Sequence, residues 1–158
     1  MGIMADQLVD FFRARKVQAP HPALDWPAKR DAWIEAVESL YAFIKEMLRD
    51  SIASKDITVR TVDLEVTEDF IGSYSIPALE LTVGDERVEF RPKGVTVIGA
   101  AGRVDIVGDR DTVTLLWNNK DASSGWTVIA RRVPQLVTAA LDAETLTYAL
   151  DRVMLPLP

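Results

Sequence analysis

In Ala78-Leu-Glu-Leu-Thr-Val-Gly-Asp-Glu-Arg-Val-Glu-Phe-Arg91, apolar and polar residues alternate on both sides of a central Gly84-Asp85 pair. Leu79, Leu81 and Val83 alternate with Glu80 and Thr82; Val88 and Phe90 alternate with Arg87, Glu89 and Arg91. A period of two sends one set of side chains to a core and the other to water. Gly-Asp between two such runs signals a tight turn, because glycine accepts the positive φ that a two-residue hairpin needs. The stretch predicts an antiparallel hairpin with one polar face.

The pattern extends both ways. Upstream, Val62, Leu64 and Val66 alternate with Asp63 and Glu65. Downstream, strands are expected at Val95–Ala100, Arg103–Val107, Thr112–Trp117 and Trp126–Arg131, separated by turns rich in Gly, Asp and Asn. Connections this short join antiparallel neighbours, since parallel pairs need a long crossover. Residues 56–132 therefore predict a curved antiparallel meander of six to seven strands.

Helices are expected on either side. In the N-terminal region, residues 4–53, Asp6 to Lys16 reads as a short helix with Leu8, Val9, Phe11 and Phe12 on a broad apolar side. Pro20, Pro22 and Pro27 then interrupt the helical pattern. From Ala28, Trp33, Val37, Leu40, Ile44 and Met47 recur at alternating spacings of four and three, the stripe of a helix reaching about Ile52. In residues 134–158, Asp142 suits an N-cap with Thr145 three residues on, and Leu146, Ala149, Leu150 and Val153 form a stripe. The fold class expected is α+β: one domain over residues 1–158, with an N-terminal helical pair, the meander and a C-terminal helix. The long middle helix and the final helix are the natural covers for one sheet face. In element count alone, residues 56–153 resemble a pleckstrin-homology-like barrel, which is the alternative architecture.

Composition excludes several chemistries. The chain has no cysteine, so disulfides, thiolate metal sites and cysteine nucleophiles are ruled out. A reducing, cytoplasmic setting is the expectation that follows. The net charge of −6 repels phosphate backbones, so nucleic acid is not an expected partner. No run approaches the roughly 20 apolar residues of a membrane span, and no membrane association is expected. P-loop, Gly-x-Ser-x-Gly, HExxH and zinc-ligand spacings are missing, so neither a cofactor nor a metal is expected.

The remaining candidates are individual residues. His21 is the only histidine and stands in Ala-Pro-His-Pro, where a loop position is the expectation. Gly99-Ala-Ala-Gly102-Arg103 lacks the lysine and hydroxyl of a phosphate loop and reads as a turn. Glu65, Glu68 and Asp69 lack the ligand spacing of a calcium loop. Arg91, Arg103 and Asp105, with Trp117, are the candidate ligand-binding set if the curved sheet encloses a pocket. Trp117 and Trp126 flank one turn and suit a cross-strand pair. Leu24 and Trp26, in the proline-rich linker, are the candidate partner-binding residues, because prolines lower the entropy lost when a loop docks; the N-terminal helix and this linker are the expected interaction surface, the rival being that Trp26 closes the core. The function expected is a non-enzymatic interaction or accessory protein that binds a protein partner or a second copy of itself. The alternative is a small-ligand-binding or hydrolytic protein with its pocket in the sheet.

Overall fold

Seven strands pair in chain order as one antiparallel sheet. The computed structural model describes residues 7–13, 26–69, 71–95, 102–117, 125–132 and 135–157. The strands are β1 (Thr58–Glu68), β2 (Gly72–Val83), β3 (Glu86–Gly94), β4 (Gly102–Val107), β5 (Thr112–Trp117), β6 (Trp126–Arg132) and β7 (Gln135–Ala140). The helices are α1 (residues 7–13), α2 (Trp26–Met47), α3 (Arg49–Ala53) and α4 (Ala143–Val153). The α+β class, the meander and the flanking helices are as the sequence predicts.

The opening hairpin forms with Leu79 opposite Phe90, Leu81 opposite Val88 and Val83 opposite Glu86. Gly84 closes it at φ 59°, a left-handed backbone that glycine adopts without cost. β2 runs well upstream of the alternating stretch. Its residues 72–78 pair only with β1, since the β2–β3 register begins at Leu79. Pro77 is tolerated there because, among the described residues, the strand has no second neighbour before Leu79 to await its missing N–H.

β7 was not expected. The sequence reading ends the sheet at Arg132, yet β6 and β7 pair from Thr127–Ala140 to Arg132–Gln135. Gln-Leu-Val-Thr-Ala-Ala shows no period-two alternation, and only its pairing identifies it as a strand. The strand expected at Val95–Ala100 falls, apart from Val95, outside the described residues. β1 pairs only with β2 and β7 only with β6, so the sheet is open. That corrects the pleckstrin-homology-like barrel alternative.

One sheet face carries the core. Leu79, Phe90, Ile106 and Val113 follow one another across four strands, and Val104, Leu115 and Val128 across three. They join Trp33, Val37, Leu40 and Ile44 of α2 and Leu146, Ala149 and Val153 of α4 in a single buried cluster. Both long helices therefore serve as covers, as expected. Met47, the last stripe residue, is only partly buried. α2 stops at Met47, but the hydrogen bonds from Leu48 N to Ile44 O (3.0 Å) and Ile52 N to Leu48 O (2.9 Å) carry the helical path into α3. Lys55, at φ 65°, ends it in the left-handed region usual beyond a helix. Asp142 caps α4 in a reciprocal box with Thr145.

Leu40 is 1% exposed at the centre of the α2 contact. Leu40→Ala is expected to cost ~2–5 kcal/mol, as deletion of a buried isobutyl group does. Urea unfolding measures this, and a loss under ~1 kcal/mol would place the stripe outside the core.

Candidate functional site

The polar sheet face carries ion pairs both within and between strands. Arg103 and Asp105, two apart on β4, point the same way. Arg103 donates from Nε and Nη2 to the two carboxylate oxygens of Asp105, at 2.8 and 3.1 Å. Thr114, opposite Asp105 on β5, adds a hydroxyl donor at 3.2 Å. Arg91 lies opposite Asp105 on β3, and its guanidinium grips both oxygens of Glu89 at 3.0 Å. One row further, Arg60 of β1 meets Glu80 of β2 at 2.6 Å.

These pairs shift the groups toward their charged forms. Arg103 is held above the usual guanidinium range mainly by its hydrogen bonds to Asp105. Arg91 is raised by its bonds to Glu89, with Asp105 adding to it. Arg60 draws the Glu80 carboxyl below its ordinary value. Asp105 is only 5% exposed, so its charge needs this compensation. The bonds occupy both ends of each pair, and the face reads as a neutralised structural surface.

The structure therefore gathers Arg91, Arg103 and Asp105 but separates Trp117 from them. Trp117 pairs with Gly102 and Trp126 across the strands and shares the parity of Val113 and Leu115, on the core side. There it stacks near Trp126, with centroids 6.5 Å apart, and Trp33 of α2 stands 5.9 Å from both rings. Gly102 is the floor: a Cβ at this position would collide with the Trp33 ring. The cross-strand pair was legible in the sequence, but nothing in the α2 stripe announced Trp33 as its third member.

The same cluster carries an unusual polar arrangement. The Glu68 carboxylate accepts the Val95 N–H at 2.8 Å and the Tyr74 hydroxyl. Burial, then Glu68, pushes the Tyr74 phenol up. The Trp33 indole lies close enough to favour the phenolate slightly, yet its buried Nε1 meets no hydrogen-bond partner among the described residues.

Two shallow grooves flank α2. One, of 490 Å³, lies toward β1 and β2 and is lined in part by Glu38, Tyr41, Lys45 and Asp63. The other, of 340 Å³, is formed by Ala32, Glu35, Ala36 and Ser39 of α2 with Trp117 and Trp126. The small residues at 32, 36 and 39 leave the edge of Trp117 partly accessible, while Trp126 beneath it is buried.

Of the partner-binding candidates, Leu24 lies outside the described residues, as does His21. Trp26 begins α2 and does not belong to the preceding linker; it is half-buried, with Lys29 Nζ 5.3 Å from its ring centroid. The N-terminal helix, which the sequence reading joins to the linker as the expected interaction surface, is α1, and its Leu8, Val9, Phe11 and Phe12 are 57%, 47%, 51% and 63% exposed. Their spacing was visible; that the folded chain leaves them uncovered was not. No group of three or more potential metal ligands occurs among the described residues. Comparison with protein families, curated proteins and solved structures finds no match.

Proposed function

We propose that this chain is a non-enzymatic interaction protein whose docking element is α1, with the sheet and its two covering helices as scaffold. The exposed apolar side of α1 carries the reading. Four large apolar residues within five positions lie open to solvent, including two phenylalanines in edge-to-face contact at 5.4 Å. An amphipathic helix of this kind binds by laying its apolar side into a groove, with aromatic side chains as anchors. The polar sheet face supports the reading from the other direction, because Arg60, Arg91 and Arg103 are engaged by Glu80, Glu89 and Asp105. The net charge of −6 favours a protein partner over a phosphate backbone.

The test is the double variant Phe11→Ser/Phe12→Ser. It is expected to keep the melting temperature of the parent and to lose association, followed by sedimentation and by affinity purification from the native host. Retained association, or a melting temperature lowered by several degrees, would overturn the assignment of α1. Trp26→Ala is the companion measurement: if it abolishes association while α1 variants do not, the contact lies at the start of α2.

A further inference from the structure

Resting on that reading of α1, we infer that its occupant site is the groove beside Trp117 and Trp126 on a second copy of the chain, giving a reciprocal dimer. The two surfaces are complementary. The groove offers the partly exposed Trp117, the small residues Ala32, Ala36 and Ser39, and one carboxylate, Glu35. α1 offers Leu8, Phe11 and Phe12, followed at once by Arg13, with Arg15 and Lys16 next in the sequence. Apolar side chains thus face an apolar groove, and a cation faces an acid. Both charges are available: Arg13 and Glu35 make no ion pair among the described residues.

Small residues on α2 matter because they let a second helix approach closely while phenylalanine rings reach Trp117. Aromatic pairs then add edge contacts to the area buried. The neighbouring groove fits less well, since Lys45 stands among its acids. A single helix of this length is small for a stable contact. Reciprocal exchange doubles the buried area and brings it toward the roughly 1,200 Å² of the smaller specific interfaces. Such an exchange is isologous, the commonest symmetry of soluble oligomers.

Charge reversal tests the pairing on the full chain. Sedimentation across a concentration series is expected to show the parent passing from monomer to dimer. Arg13→Glu and Glu35→Arg are each expected to weaken the dimer tenfold or more, with circular dichroism and melting unchanged because both sites are exposed. An equimolar mixture of the two variants is expected to dimerise again, since each mixed pair restores opposite charges at both contacts. A parent dimer that neither reversal weakens would overturn the groove assignment and leave α1 as the docking element. A parent that stays monomeric throughout would overturn self-association; binding of another protein that is lost in Phe11→Ser/Phe12→Ser would then still support α1. If the Phe variants change no association of any kind, the reading of α1 fails as well.

Discussion

Trp33→Ala is expected to lower stability by ~3–5 kcal/mol, the range for removing a large aromatic from a core. Trp33 is fully buried, touches both Trp117 and Trp126, and rests on Gly102. Removing it leaves a void between α2 and the start of β4 that backbone cannot fill. Trp33→Phe separates packing from polarity. Among the described residues the indole Nε1 has no hydrogen-bond partner, so its loss is expected to forfeit no bond. The phenylalanine variant is therefore expected to recover most of the deficit. Urea unfolding of the two variants measures this. Equal losses would mean that the N–H has a partner; a loss under ~1 kcal/mol for alanine would place Trp33 outside the cooperative core.

Stability is also expected to fall steeply above about pH 10, where unfolded tyrosine ionises. Tyr41 donates its hydroxyl to the carbonyls of Pro77 at 2.8 Å and Phe90 at 3.1 Å, tying α2 to β2 and β3. Burial pushes its phenol far up, and the Glu89 charge adds to this, against a smaller opposing backbone contact at Leu79. Tyr74 is raised in the same direction. A raised phenol keeps its proton in the native state while the unfolded chain releases it. Stability is thus full below the unfolded value and declines as pH rises past it, by up to about 1.4 kcal/mol per pH unit for each such tyrosine.

Lysine titrates in the same window, so the informative quantity is a difference. Tyr41→Phe is expected to cost ~1–3 kcal/mol at neutral pH, because two buried carbonyls lose their donor. Above pH ~10 its stability is expected to decline less steeply than that of the parent. Urea midpoints from neutral to alkaline pH decide it, and parallel curves would show that Tyr41 is not the group responsible.

The functional candidates divide by how far apart their parts lie in the chain. Arg103 and Asp105 are two residues apart, so strand periodicity alone placed them on one face. Trp117 was grouped with them as lining for a pocket in the curved sheet, and the pleat put it on the other face. The three-tryptophan cluster and its groove need α2 to cross β5 and β6, a contact between residues more than eighty positions apart. No local pattern encodes that crossing.

By itself the sequence determined the α+β class, the Gly84 hairpin, the buried stripe of α2 and the capped C-terminal helix. Each follows from side-chain period and turn chemistry within a few residues, where backbone geometry leaves few choices. Tertiary structure decided the rest. It made Gln135–Ala140 a strand by supplying β6 as a partner, and it left β1 and β7 as open edges. It also left the apolar side chains of α1 about half exposed, because burial depends on which surfaces meet after folding, and hydrophobic free energy is indifferent to the direction in which an apolar face is turned until a neighbour removes it from water.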